Sequence, residues 1–414
     1  MNKRKQNKKN DGKFIAYENL DRIGEIAVYY GFIPAKSITI TKADLDGARD
    51  LKNGDSIDDE SDKHGRLPLH AEEKIALMRT YQEENMQDLP QPVMLYFKDP
   101  CKGGSKKDGY HRYADLEIIG SSGSIAEATL IQVARVMLAE EGYMDTAVEV
   151  NSLGDHDSTQ RFVRELAAYY RKHVNDMTAE NRQLLKDDPL ELLSSCNESS
   201  KQLNELAPKS MDYLCENSRR HLEELLEYFE TMNIPYSINN SLIANRKYCT
   251  ETIFAIVNTD PEAVKKGKRI LAVGVRYNGL SRKLNLKRDI TGVGISILVK
   301  GNSANLRKTI TKMKKPIASF VQLGTDSKLL SLGVIEKLRQ VKIPLYLSLA
   351  KDRLGAQVSS VEKYHTPYVI VMGKKEAVEK TAIVRKNDTH AQEIVSLDDL
   401  PKYMKKAEAE YWGR

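Results

Sequence analysis

"YADLEIIGSSGSIAEATLIQVARVMLAEEGY", residues 113–143, runs into "TAVEVNSLG", residues 146–154, and this stretch decides the fold class. Its first part is a strand-like run, its middle carries apolar residues at helical spacing, and its end alternates as a strand does. Outward from it the same mixture continues. "PVMLYFKD" reads as a strand, joined to Tyr113 by a Gly/Lys-rich turn, "CKGGSKKDGYHR". "AEEKIALMRTYQEEN" has helical spacing in Ile75, Leu77, Met78 and Tyr81, and "TQRFVRELAAYYRKHV" puts Phe162, Leu166, Tyr169 and Tyr170 on one stripe. Residues 176–233 read as nearly all helix. Strands resume in "YCTETIFAIVN", "RILAVGVRYN" and "TGVGISILV". The spacing predicts an α+β core over 14–312 with a helical insertion at about 176–233.

At the edges the signals are plainer. Residues 1–13 form a basic tail expected to be disordered, and residues 14–31 are expected to form an amphipathic helix. Asp50–Arg66 is acid-rich and is expected to be a long loop. A basic connector, "NLRKTITKMKKP", leads to Ile317, where the grammar changes. There "IASFVQLG", "IPLYLSLA" and "YVIVMG" alternate with helical stretches, the βαβ signature of a second, α/β domain over 317–414.

With 414 residues, 41% apolar and 29% charged, the chain has the composition of a soluble globular protein. It holds no apolar run long enough to span a bilayer and no secretory signal after the basic N-terminus, so a cytoplasmic protein is expected. Four cysteines without a C-x-x-C pair point to free thiols, and eight histidines without an H-x-x-x-H pair give no metal site. Asp155-His156-Asp157 is expected to be a solvated loop. There is no phosphate loop and no G-x-G-x-x-G opening a helix. Net charge is +6, unevenly spread: residues 261–315 hold fifteen Lys or Arg against two acids. Such a segment attracts phosphate backbones. The candidate contacts are Lys265, Lys266, Lys268, Arg269, Arg282, Lys283, Lys287, Arg288, Arg307, Lys308, Lys312, Lys314 and Lys315. A solvated basic face is the competing reading.

Several segments resemble the histidyl-tRNA synthetase family of class II synthetases. "ADLEIIGSSGSIAEATLI", "VEVNSLGDHDSTQRFVRELAAYYRKH", "DDPLELLSSCNE", "VGVRYNGL" and "DRLGAQVSSVEKYHTPYVIVMGKKEAVEKTAIVRKN" carry the likeness, in order, over roughly residues 20–405. The resemblance implies an antiparallel class II core with helices and a C-terminal anticodon-binding-like α/β domain. It also implies a homodimer, although "YYGFIPAKSITI" has Ile38 where a motif proline is expected.

At the positions that carry the family's chemistry the chain departs from it. "SLIANRKYC" lies where the family has L-V-R-G-L-D-Y-Y, whose Arg faces the reacting carboxylate and phosphate; here that position is Ala244. Tyr248 alone is retained. The F-R-x-E of the second motif becomes Phe97-Lys98-Asp99-Pro100, and Lys lacks the bidentate fork of Arg. The Arg ending the third motif falls near Lys300-Gly301. The R-P-E triplet of the amino-acid pocket is matched by Leu69-His70-Ala71. In the D-A-E motif the acids become Glu127 and Thr129, and G-G-R-Y-D becomes Gly274-Val275-Arg276-Tyr277-Asn278.

Lys98, Asp99, Ala244 and Gly301 are thus degenerate catalytic positions, and Lys98 and Arg276 are residual nucleotide contacts. Removing one preorganised charge stabiliser lowers a rate by about 10²–10³. The expectation is a synthetase-like protein without aminoacylation, needing no cofactor and acting through tRNA, other RNA or a protein partner. In the second domain Tyr346, His365 and Tyr368 are the candidate base stackers. The alternatives are an active histidine–tRNA ligase using ATP and Mg at a re-tuned site, or a regulatory subunit of a biosynthetic enzyme. Against the latter, that relative resembles only the catalytic domain.

Overall fold

The computed structural model describes residues 13–51, 71–98, 111–195, 198–265, 270–286, 288–300, 310–347, 357 and 364–413. Its strands, in chain order, begin with β1 (Phe14–Glu18), β2 (Ile33–Ala35), β3 (Val93–Phe97), β4 (His111–Ile119) and β5 (Thr146–Gly154). Next come β6 (Tyr236–Ile238), β7 (Glu251–Asn258), β8 (Ile270–Arg276), β9 (Gly292–Lys300) and β10 (Ile310–Lys314). The last are β11 (Ala318–Gln322), β12 (Leu345–Leu347), β13 (Tyr368–Met372), β14 (Thr381–Lys386) and β15 (Gln392–Ser396). They fall into two compact units, one comprising residues 36–93 and 99–300, the other residues 1–35, 94–98 and 301–414.

The first of these is built on strands in the order β4-β9-β8-β7-β5-β6. All neighbours are antiparallel except β5 and β6. Helix Ile125–Glu140 lies on β9 and β4, with eleven of its side chains buried. Apolar burial at roughly 25 cal/mol per Å² is the main force holding such a layer. The helical insertion appears as expected, in helices Ala179–Asp187, Pro189–Ser194, Glu198–Glu205 and Glu216–Thr231. Phe162, Leu166 and Tyr170, from the expected stripe, are fully buried in its core with Leu192 and Leu193.

Asp155-His156-Asp157 is not a loop. Asp155 caps helix His156–Lys172 by accepting from the Ser158 amide at 2.8 Å, so the next two residues form the first turn.

In the other unit the five-stranded order is β12-β11-β13-β14-β15. β11 is parallel to both β12 and β13, as a βαβ reading requires, with helix Thr325–Gln340 as the crossover. The sheet then turns antiparallel through β14 and β15, a hairpin the apolar runs did not announce.

Residues 14–31 correct the expected single helix. Phe14–Glu18 is a strand paired with β10, from Phe14 opposite Lys314 to Glu18 opposite Ile310. Asn19 turns the chain at φ 57°, and Asp21 caps helix Arg22–Tyr29 through the Gly24 amide. The basic connector is therefore partly strand, and pairing with it draws the N-terminal residues out of the expected 14–312 core and into this unit. Tyr30 reinforces the placement by donating to Glu336 at 2.7 Å. The tail before Lys13, the acid-rich stretch beyond Leu51 and residues 101–110 of the Gly/Lys turn lie outside the described residues, while the last two residues of that turn, His111 and Arg112, open β4.

Candidate functional site

The loop that carries Ala244 is tied down on both sides. Asn245 donates from Nδ2 to the Leu51 carbonyl at 2.8 Å, and Lys247 Nζ donates to the Asp50 carbonyl at 3.3 Å. Those carbonyls end helix Lys42–Leu51, where the last turn has no intrahelical partners. Arg246 pairs with Asp188 at 3.0 Å, the residue that also caps helix Pro189–Ser194. Ala244, Tyr248 and Cys249 point inward and are buried. Burial pushes the Cys249 thiol up to about 12, so it is a neutral packing group rather than a nucleophile. The segment fastens a helix end to the helical insertion.

Arg276 is wholly buried on β8. Its Nε and Nη2 each lie 2.6 Å from a Glu127 oxygen, and Nη1 donates to the Ser121 carbonyl at 2.8 Å. Glu127 also accepts from Thr252 at 3.0 Å and lies 2.8 Å from His221 Nε2. Burial opposes its charge, but Arg276 and His221 outweigh this and hold the carboxyl well below its usual range. The network joins helix Ile125–Glu140, helix Glu216–Thr231 and strands β7 and β8.

A second buried network stands on β4. Asp115 and Glu117 alternate onto one face of the strand. Glu117 accepts from the Tyr277 hydroxyl at 2.7 Å and is ion-paired with Lys74. Lys74 Nζ lies 5.7 Å from the centre of the Tyr277 ring. A Cβ on Gly294 would lie 2.1 Å from a Glu117 oxygen, and one on Gly292 would strike the Tyr277 ring at 2.3 Å. The glycines of "TGVGISILV" therefore make the room that this cluster fills. Asp115 Oδ1 is buried and has no hydrogen-bond partner among the described residues. Burial, against the lowering effect of Lys74, raises the Asp115 carboxyl to about 7.

The remaining candidates are scattered. Lys98 pairs with Asp21 at 2.6 Å, an exposed contact of small energetic weight. Asp99 and Gly301 lie outside the described residues, as do Lys266, Lys268, Arg269, Lys287, Arg307 and Lys308. Lys265 and Arg282 are paired with Glu262 and Asp289, while Lys283 and Arg288 are exposed on the same unit. Lys312 and Lys315 are exposed on the other unit, where Lys314 pairs with Glu408 at 2.5 Å. Of the proposed stackers, Tyr368 is buried in its sheet, and Tyr346 stacks on Tyr364 with centres 3.9 Å apart and planes 7° from parallel.

Sequence reasoning passed over Lys74, Asp115 and Glu117. The signal was present: Lys74 falls three, four and seven residues before Leu77, Met78 and Tyr81, on the buried stripe, and two acids interrupt the apolar strand.

Residues 321–407 match the family model of the anticodon binding domain. The histidine–tRNA ligase of Symbiobacterium thermophilum is 26% identical over 356 residues, covering 83% of this chain and 81% of its own. That of Fervidobacterium nodosum is 28% identical over 343 residues, covering 80% and 79%. The solved structure of apo S. aureus histidyl-tRNA synthetase aligns with 96% of this chain and 95% of its own, at 20% identity and TM-score 0.49. The fold is a mixed α+β core on a largely antiparallel sheet, followed in the chain by the residues that match the anticodon binding domain. Over about four fifths of its length the chain is similar to histidine–tRNA ligases, a likeness that supports the histidyl-tRNA synthetase family.

Proposed function

We propose that this chain is a histidyl-tRNA synthetase-like protein that has lost aminoacylation and acts by binding RNA, with tRNA as the first candidate. The observation that carries the reading is Ala244: a methyl group stands where the family places the arginine that faces the reacting groups. The neighbouring cations do not replace it. Arg246 is committed to Asp188, Lys247 to a helix-end carbonyl and Arg276 to Glu127. Adenylation concentrates charge on the α-phosphate; removing one fixed donor there costs its transition state roughly 2.7–4 kcal/mol, and further losses do not simply add.

RNA binding needs cations for the phosphates and flat groups for bases. The matched anticodon binding domain supports it, with Lys312 and Lys315 exposed nearby in sequence and the Tyr346–Tyr364 pair offering a flat face. The test is a gel shift with bulk tRNA over a salt series. The reading expects a complex that weakens steeply with salt; the absence of any salt-sensitive complex removes the RNA half of it. The ligase reading is favoured by the names of the matched relatives, both histidine–tRNA ligases. ATP–pyrophosphate exchange separates it from the present one.

A further inference from the structure

Lys74 is among the most enclosed charges of the described residues: its side chain is 4% exposed, its partner Glu117 1%. An ammonium leaves water only where its hydrogen bonds and charge are met inside. Here the Glu117 carboxylate meets it directly, the Tyr277 ring lies within cation–π range, and the nearby Asp115 carboxyl also favours its charge. Tyr277 fixes the other Glu117 oxygen, so the acceptor is held in place before any cation arrives. The cluster has one acceptor to spare, since Asp115 Oδ1 is buried without a partner among the described residues. Two acids, an aromatic face and one enclosed amine have the composition of a receptor for a small organic cation.

We propose that Asp115, Glu117 and Tyr277 form a binding site for a primary alkylammonium group, and that the chain occupies this site itself with the Lys74 side chain. The occupant is tethered, so its effective concentration exceeds that of any free amine, and a free amine does not displace it. Lys74 follows by three residues the triplet matched to the family's amino-acid pocket, Leu69-His70-Ala71. The proposal thus deepens the reading of a core without aminoacylation: the site holds its own cation instead of a substrate's.

The test uses the full chain with Lys74→Ala, which removes a three-carbon amine, and n-propylammonium chloride as the probe. The variant is expected to melt below the parent. Its Tm should rise by about 2–4 °C, saturably, with n-propylammonium at roughly tens of millimolar. n-Propanol and sodium chloride should give no such rise, and the parent should not respond. If Lys74→Ala does not fold, Lys74→Ala with Asp115→Asn, which leaves one carboxylate in the site, is measured the same way with the same expectation. A variant indifferent to n-propylammonium, or a parent stabilised as much as the variant, overturns the proposal. Because the readout is melting, a failure here is distinct from amino-acid-dependent pyrophosphate exchange, which would instead remove the reading of a non-catalytic core.

Discussion

Arg276 grips Glu127 with two parallel hydrogen bonds of 2.6 Å, and neither side chain is exposed to solvent. A guanidinium so engaged is a structural cross-link between a strand and the helix that covers the sheet. It is not presented to a phosphate. The residual nucleotide contact expected at this position is, in the fold, the centre of a buried network.

Breaking that pair from one side leaves a buried charge alone. Arg276→Ala is expected to lower stability by about 3–5 kcal/mol in urea unfolding. Arg276→Met combined with Glu127→Leu should cost clearly less than the sum of the two single changes. Additive losses would contradict the pairing.

The same carboxyl sets an acid limit. Glu127 is held below its usual 4.5 in the folded state, so its contribution is present above that value and is lost as pH falls. Melting temperature should drop steeply below about pH 4.5, and Glu127→Gln should flatten that limb. An unchanged acid limb in the variant would count against the network.

Asp115 acts in the opposite sense. Its carboxyl rises from 3.8 to about 7 on folding, chiefly through burial, with Glu73 and Glu117 adding to the rise and Lys74 and Ser296 opposing it. The folded state therefore favours the protonated form. The contribution is full below about pH 4 and is lost as pH climbs to 7. Asp115→Asn should be more stable than the parent at pH 8, on the order of 1–2 kcal/mol, with the difference vanishing near pH 4. Equal pH dependence in parent and variant would place the titration elsewhere.

Asn245 and Lys247 close the end of helix Lys42–Leu51. Asn245→Ala is expected to cost about 1 kcal/mol. Its effect should be local, with faster amide hydrogen exchange in residues 46–51 and no change in β7. A uniform increase across the sheet would mean that the loop does something other than hold that helix.

Cations that touch RNA betray themselves in salt dependence. Lys312→Glu and Lys315→Glu should each weaken tRNA binding across sequences and reduce the slope of log K against log salt by about 1. An unaltered slope would remove these two residues from the interface.

Much of the architecture was legible because it is local. The strand–helix–strand stretch at 113–154 and the stripe of Phe162, Leu166 and Tyr170 are read from spacing alone, and each forms as read. Phe14–Glu18 was misread because its strand exists only by pairing with Ile310–Lys314, some 300 residues away, and pairing overrides local periodicity. That Ala244 stands where the resemblance leads one to expect an arginine is read from the letters alone. What Arg246, Arg276 and Lys74 touch was not, because a sequence gives charges without partners. Those partners lie 58, 149 and 43 residues away in the chain.

The most direct measurement is ATP–pyrophosphate exchange by the full-length chain with histidine and with each other amino acid in turn. A core whose cations are committed elsewhere should give no exchange above the protein-free background. Robust exchange dependent on one amino acid, and abolished by Lys98→Ala, would contradict it.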